Sequence, residues 1–539
     1  MDSKCELNLD NCPYVVKPKD VEYKDNFGIG YELFHSMKKY SNNIAQRNII
    51  NNHEETYATI FRMSISVAVE LRKKKVTRDR IIAVSADNHS YSNIPFIAAT
   101  FLGLRTVCID GSFSVTDLTS LLNQVTPAVM FIDEEFVPAM EKAMKNSSTN
   151  FELVVFGEHD KYTTFDHFMS MGDEEENFEP IKLENTQETG LILFSSGTTG
   201  LTKGISLPHY GLLKQAHNVG IVQEISSESV VYYFTALNWM TSASLIMTCT
   251  MFGATRIISP VTRAMEAIVK YKVSHISVSP YVASLLVKSG KPLTVEENSV
   301  KSIWTTGAAL NDNLRTQLMN MFPCTLIAES YGQTEASGWI TMFPLSEKQL
   351  ADKNPKSVGK LLPGIFAKVV QLETNKTLGA NEIGELYLKC DNIRMKGYFN
   401  RDTSEEFDSD GWMKTGDLVR FNEDYCFYLE GRCKEMFKYR NFHIQPQKLE
   451  QLLESHPAVD KAIVIGKHHE LDGDHPTGIV VLHKGQDIKP EILEDYVAKQ
   501  VQDRQRLRGG VKIISKIPLT RTGKPIRYIL KQMLERGEL

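Results

Sequence analysis

The chain predicts an α/β protein: a large N-terminal domain of helix-covered, mainly parallel sheets, a small β-rich subdomain, and a small α+β domain at the C-terminus. Three observations carry that expectation. Short apolar, β-branched runs alternate with amphipathic stretches through most of the chain before Tyr331, the pattern of strand–helix–strand units and of parallel sheets covered by helices. From about Val358 the texture turns to short strands separated by turn signals. It changes again near Gly431, and strands and helices then alternate over roughly 100 residues, a common domain size.

Taken in order, residues 80–85 read as a buried strand, 94–103 as a helix, and 106–109, 128–132 and 153–156 as further strands. Residues 171–179 are acidic and contain a glycine, so a solvated loop is expected there. Residues 367–372 and 385–388 read as short strands, with turns at Thr374-Asn375 and Gly379-Ala380-Asn381. Beyond Gly431, residues 446–456 and 490–502 read as helices that begin on a proline, which suits a first helical turn. Residues 462–465 and 478–482 read as strands, and no internal repeat is visible.

Bulk properties narrow the function classes. The 539 residues are 42% hydrophobic and 24% charged, near globular averages, which excludes disordered and fibrous classes. A formal net charge of -5 argues against a nucleic-acid partner. The 8 cysteines are scattered without a Cys-x-x-Cys pair, so neither a thiolate metal site nor a disulfide framework is expected. The longest apolar stretches, 94–104 and 245–254, fall short of the about 20 residues of a membrane span. The N-terminus lacks a signal core, and Gly537-Glu538-Leu539 does not match a Ser-Lys-Leu address. The expectation is therefore a cytoplasmic protein, with the peroxisome as alternative and no integral membrane span.

The strongest local feature is Leu193-Phe194-Ser195-Ser196-Gly197-Thr198-Thr199-Gly200-Leu201-Thr202-Lys203-Gly204. A strand-like run enters a segment of glycines and small hydroxyls, and a single lysine follows. Glycines bring backbone N–H groups close to an anion, hydroxyls add donors, and the lysine supplies a mobile cation for phosphate oxygens. It is not the G-x-x-x-x-G-K-[ST] loop. The segment resembles the signature of the adenylate-forming superfamily of acyl-CoA synthetases, 4-coumarate:CoA ligases and beetle luciferases. Thr202 stands where that family has proline, and Lys203 is retained.

Further motifs follow in the family's order and cover nearly the whole chain. Trp304-Thr305-Thr306-Gly307-Ala308-Ala309-Leu310 resembles the strand and turn beside adenine and acyl group, which implies Gly307 and Ala308 as contacts to both. Ser330-Tyr331-Gly332-Gln333-Thr334-Glu335 is similar to Tyr-Gly-x-Thr-Glu; the resemblance implies Tyr331 and Gly332 at the adenine, Thr334 at the α-phosphate and Glu335 on Mg²⁺. Gly411-Trp412-Met413-Lys414-Thr415-Gly416-Asp417 resembles Gly-Trp-x-x-Thr-Gly-Asp, with Asp417 on the ribose hydroxyls. Gly431-Arg432-Cys433-Lys434-Glu435 looks like the interdomain hinge, with Arg432 reaching ribose or phosphate and Lys434 as pivot. That likeness implies a large domain over 1–430, a hinge at 431–434 and a mobile small domain over 435–539. Leu519-Thr520-Arg521-Thr522-Gly523-Lys524-Pro525 resembles the C-terminal lysine loop, which implies Lys524 as the catalytic cation.

The resemblance implies activation of a carboxylic acid by ATP and Mg²⁺, then transfer to coenzyme A, in a monomer or weak homodimer. Ser195, Ser196, Gly197, Thr198, Thr199 and Gly200 would hold the phosphates, and Lys203 and Lys524 would offset charge on them. Residues 438–450 parallel the family's transfer face and keep Lys438, but Asn441 replaces a glycine and Lys448 a glutamate. Residues 234–241 lack the histidine of luciferases and coumarate ligases, and Trp239 takes its place. An apolar lining favours a medium- or long-chain fatty acid. The alternatives are a luciferase-like or a non-catalytic nucleotide- or lipid-binding relative. A non-catalytic relative is expected to lose Lys524, Glu335 or Asp417, and all three are present.

Overall fold

Runs of branched apolar residues form the expected strands, and burial on both faces explains why they show no polar alternation. In the computed structural model, which describes residues 15–16, 23–24, 27–172, 177–195, 203–390, 392–440, 442–519 and 524–539, the strand Ile81–Ser85 is buried at every position. Parallel strands Arg105–Cys108 and Val129–Asp133 flank it, and Glu152–Phe156 extends the sheet. Thr189–Ser195 pairs parallel to Arg105–Cys108, and Lys203–Pro208 returns antiparallel beside it. The two-residue strand Gly397–Tyr398 lies along Lys203–Pro208 at the edge of this sheet.

A second sheet runs in the order Leu326–Glu329, Ser302–Thr305, His275–Val278, Val230–Tyr233, Thr255–Ile258, Ile44–Asn48, His53–Thr56, parallel except for the last pair. Segments starting at Phe234, Thr306 and Ser330 therefore leave the same, carboxyl-terminal edge. That is the edge at which open α/β sheets hold ligands. A helix, Ile94–Phe101, is buried along its whole length and stops before Gly103, whose φ of 62° ends it.

The acidic segment 171–179 departs from expectation. Residues 173–176 lie outside the described residues, but Phe178 is only 3% exposed. Its ring centroid lies 6.2 Å from that of Phe34 and 6.0 Å from that of Phe101. One aromatic ring gains enough by burial to pin the end of an otherwise acidic stretch.

The chain divides into two compact units. The first holds the described residues of Pro18–Ile365 and Cys390–Glu405, with both sheets above and a small antiparallel sheet of Tyr331–Gln333, Gly338–Met342 and Lys360–Leu361. The second holds those of Met1–Lys17, Phe366–Lys389 and Glu406–Leu539. Its first sheet is the expected β-rich section, antiparallel in the order Thr377–Leu378, Phe366–Val370, Gly384–Lys389, Met413–Phe421, Phe427–Arg432. Asn375 and Asn381, at the predicted turns, take φ of 56° and 65°, a conformation asparagine tolerates. Its second sheet joins Phe442–Ile444, Phe437–Tyr439, Gly473–Leu482 and Val459–His469, with Val511–Ile513 parallel to Gly473–Leu482. Helices Pro446–Glu454 and Pro490–Ala498 start on their prolines and pack Leu449, Leu453, Leu493 and Val497 against Val464 and Val480. No helix among the described residues is long and apolar enough to cross a membrane.

Candidate active site

The predicted residues fall into two clusters, one in each unit. In the first unit, antiparallel pairing puts Ser195 opposite Lys203. The segment between them, with Ser196, Gly197, Thr198, Thr199 and Gly200, lies outside the described residues. Lys203 is half-buried, and its Nζ sits 4.3 Å from the ring centroid of Tyr398, a cation–π contact. The Tyr398 hydroxyl donates a long hydrogen bond of 3.4 Å to Glu335 Oε1. Lys203 and Glu335 are thus brought together across one aromatic ring. Tyr398 was not among the sequence-predicted residues. Its only signal is a Gly-Tyr pair, and Gly397, with φ of 140°, turns the chain into register there.

Glu335 lies in the single turn Thr334–Ala336, directly after the strand Tyr331–Gln333. Met395 N–H donates to the Glu335 carbonyl at 2.7 Å, which fastens the 393–398 segment to this turn. Behind it, the fully buried Gln215 on helix His209–Val222 donates from Nε2 to the carbonyls of Ala336 (3.0 Å) and Trp339 (2.7 Å). A buried amide that satisfies two backbone carbonyls fixes the turn in one position. Asn218 does the same for Pro363 at 2.8 Å, and Gln223 for Phe343 at 2.9 Å. Gly332 allows the strand to close, since a Cβ there would stand 2.4 Å from the Gly338 carbonyl oxygen.

Tyr331 is buried, and Ser330 anchors its approach: Ser330 N–H donates to the Thr305 carbonyl at 2.8 Å, and Trp339 Nε1 donates to Ser330 Oγ at 3.1 Å. Gly307 and Ala308 follow the adjacent strand and are exposed, with Gly307 at φ of 95°. Glu329, the last residue of its strand, is a further feature that sequence reasoning missed. It is 7% exposed, and burial pushes its carboxyl up to about 8, against the Leu310 N–H and the Arg315 charge, which favour the ionised form. Trp239 is half-buried and precedes the helix Met240–Phe252, its carbonyl accepting from Ser242 N–H at 3.0 Å.

In the second unit Asp417 and Arg432 are direct cross-strand partners. Asp417 is 3% exposed, and Arg432 Nε lies 2.9 Å from its Oδ1. The preceding turn is fixed by Thr415, whose Oγ1 donates to the Leu386 carbonyl at 2.8 Å and accepts from Asp417 N–H at 3.1 Å. Lys524 belongs to the same cluster. Its side chain keeps exposed surface, yet the protein crowded around its ammonium holds it below the usual lysine range. The Arg432 charge adds to that depression and Asp417 opposes it. Arg527 fixes the segment after Lys524: it pairs with Glu450 at 2.6 Å and with Glu435 at 3.3 Å. Lys434 and Lys438 are exposed and join neither cluster. Lys448 is exposed as well, and Asn441 lies outside the described residues.

Each cluster by itself sets cations beside a carboxylate: Lys203 near Glu335 in the first unit, Arg432 and Lys524 near Asp417 in the second, side chains of the kinds that bind phosphate oxygens and sugar hydroxyls. The half-exposed Glu335 carboxylate is a hard oxygen donor with access to water, which fits Mg²⁺.

Comparison with known proteins covers most of the chain. Residues 33–399 match the model of the AMP-binding enzyme family, and 448–524 that of the AMP-binding enzyme C-terminal domain. The chain is 27% identical to the luciferin 4-monooxygenase of Photuris pensylvanica over 94% of its own length and 95% of that protein's. It is 26% identical to 4-coumarate:CoA ligase 1 of Petunia hybrida, over 100% of this chain and 99% of that one. Among solved structures, the luciferase-like enzyme of the nonluminescent mealworm Zophobas morio superposes with a TM-score of 0.73 at 30% identity, covering 78% of this chain and 100% of that one. With a family match through more than half of its length and relatives that it spans almost end to end, the chain belongs to the AMP-binding enzyme family, the adenylate-forming enzymes that include luciferases and 4-coumarate:CoA ligases.

Proposed function

We propose that the protein is an AMP-forming acid–thiol ligase that activates a medium- or long-chain fatty acid and transfers it to coenzyme A. The observation that carries the reading is the grouping of the cross-strand pair Asp417 and Arg432 with Lys524, which lies far along the sequence, around the buried Asp417 carboxylate. In the first half-reaction a carboxylate oxygen attacks the α-phosphorus of ATP, the bond to the β-phosphate bridging oxygen breaks, and pyrophosphate leaves. The nucleophile is already ionised, so no general base is needed. Lys203 and Lys524 offset the charge that grows on the phosphate oxygens. Thr334 contacts the α-phosphate, Tyr331 stacks on adenine and Asp417 accepts from the ribose hydroxyls. Glu335 is the residue suited to hold Mg²⁺, which neutralises phosphate charge when bound.

In the second half-reaction the thiol sulfur of coenzyme A attacks the acyl carbon and AMP leaves. Lys438 serves that step, after residues 435–539 turn about Lys434. The retained Lys438 supports transfer despite the departures at Asn441 and Lys448. The fatty-acid reading rests on Trp239 in place of histidine and on the apolar helix Met240–Phe252 that follows it.

The test is product analysis with ATP, Mg²⁺, coenzyme A and a panel of aliphatic and aromatic acids. Equal amounts of AMP and an aliphatic acyl-CoA are expected. A preference for aromatic acids would overturn the substrate assignment, and acyl-adenylate that never passes to coenzyme A would overturn the ligase reading.

A further inference from the structure

The hairpin joining strands Val459–His469 and Gly473–Leu482 carries a run that none of the chemistry above uses: His468-His469-Glu470-Leu471-Asp472-Gly473-Asp474-His475. Among the described residues, His469, Asp472 and His475 each bring one ligand atom within 4.8 Å of the other two. His475 Nε2 lies 2.9 Å from Asp472 Oδ2, and His469 Nδ1 lies 3.7 Å from the same oxygen. The two imidazoles stack, with centroids 4.2 Å apart and planes 14° from parallel.

We propose that this hairpin is a binding site for a borderline transition-metal dication of the Zn²⁺ class, held by His469, Asp472 and His475. Donor chemistry selects the ion. Two imidazoles and one carboxylate suit Zn²⁺, Ni²⁺ or Cu²⁺, whereas Mg²⁺ and Ca²⁺ want oxygen throughout. Distance agrees. Tetrahedral zinc with bonds of about 2.0–2.1 Å holds its ligand atoms roughly 3.3 Å apart. The 2.9 and 3.7 Å separations bracket that value and the third pair lies within 4.8 Å, so side-chain shifts without backbone movement complete the site. Three protein ligands leave a fourth position for water.

The scaffold is already set. Lys467 pairs with His475 and His469 with Gly473, so strand alternation puts both histidines on one face of the hairpin. His468 pairs with Asp474 and occupies the other face. Asp472 N–H donates to His469 Nδ1 at 3.3 Å, so a metal bound through Nδ1 takes over the lone pair that this contact now holds. The second carboxylate oxygen of Asp472 is held by Arg440 Nε at 2.7 Å, and Arg440 N–H donates to the Asp472 carbonyl at 2.7 Å. An outer partner that orients a ligand in this way raises metal affinity. Tyr439, edge-on to His475 at 5.6 Å, joins the hairpin to the strand that carries Lys438.

The test is Zn²⁺ titration of the tag-free full chain, in excess Mg²⁺, by competition with a chromophoric chelator. One tight Zn²⁺ is expected, undisturbed by Mg²⁺. The His469→Ala/His475→Ala double variant and, separately, Asp472→Asn should each weaken it by more than about 100-fold, beyond the ~10–100-fold that outer-shell losses cost. Arg440→Ala should weaken it by about tenfold. His468→Ala, on the opposite face, should leave it unchanged, and circular dichroism checks that each variant is folded. Absence of tight uptake by the unmodified chain, or unchanged affinity in the folded double variant or in Asp472→Asn, would overturn the proposal. The readout is binding, so it stands or falls separately from the ligase activity.

Discussion

Two stretches of the second unit, close in sequence, are built differently. The Asp417–Arg432 pair is locked by strand register, and its carboxylate is almost fully buried. Asp417 keeps its neighbours because Thr415 and Leu386 fix the turn before it. A few residues on, Lys438 and Lys448 are exposed, and the ordered contacts nearby run from Arg440 to Asp472 instead. The Asp417–Arg432 pair proposed for adenylation is therefore preorganised, and Lys438, proposed for transfer, is not. Preorganised charge stabilises a transition state without reorganisation at the moment of reaction. Exposed lysines are free to change partners, which suits a step that follows a domain movement.

The largest expected effect tests that division directly. Lys524→Ala should slow acyl-adenylate formation by about 100-fold or more while supplied acyl-adenylate still reacts with coenzyme A at nearly the normal rate. Equal loss in both half-reactions would erase the contrast. Asp417→Ala comes next. Removing a buried charged acceptor should raise KM for ATP by about 10–100-fold, with a smaller change in kcat. An unchanged KM would mean that the buried carboxylate serves only Arg432.

In the first unit, Tyr398→Ala should reduce adenylation by about two- to fivefold, the worth of an exposed cation–π contact. Tyr398→Phe keeps the ring under Lys203 and should retain most of the activity; if it fails as badly as alanine, the hydroxyl on Glu335 is the part that matters. The last expected effect is on stability rather than on activity. The unfolded chain releases the Glu329 proton near pH 4.5, whereas the folded protein keeps it up to about 8. The unfolded state then binds fewer protons in that window, so this group makes stability fall as pH rises from about 5 to 8. Glu329→Gln keeps an acceptor for the Leu310 N–H and should flatten the dependence of Tm on pH over that range. An unaltered slope would show that Glu329 is ionised in the fold.

The strands were legible because parallel sheets covered on both faces need unbroken branched apolar runs, as in residues 81–85 and 129–133. Proline marked the start of two helices in the C-terminal part, Pro446–Glu454 and Pro490–Ala498. The motif residues were legible by resemblance, since glycines such as Gly332 sit where a side chain cannot. Tyr398 was not legible: a two-residue strand has no periodicity, and its partnership with Lys203 depends on an edge pairing across the whole first unit. Gln215 was hidden in a helix whose sequence gives no sign that its amide faces backbone carbonyls. Glu329 looked like an ordinary polar strand end, and only the packing around it reveals a buried acid. Phe178 was masked by the acids around it.

The most direct test of the central claim is exchange of label between pyrophosphate and ATP, in Mg²⁺ and without coenzyme A, across short, medium, long-chain and aromatic acids. The account predicts exchange that depends on the acid and is strongest with medium- or long-chain aliphatic acids. ATP binding with no exchange for any acid would contradict it, and would make the chain a nucleotide-binding relative that has lost the adenylation step.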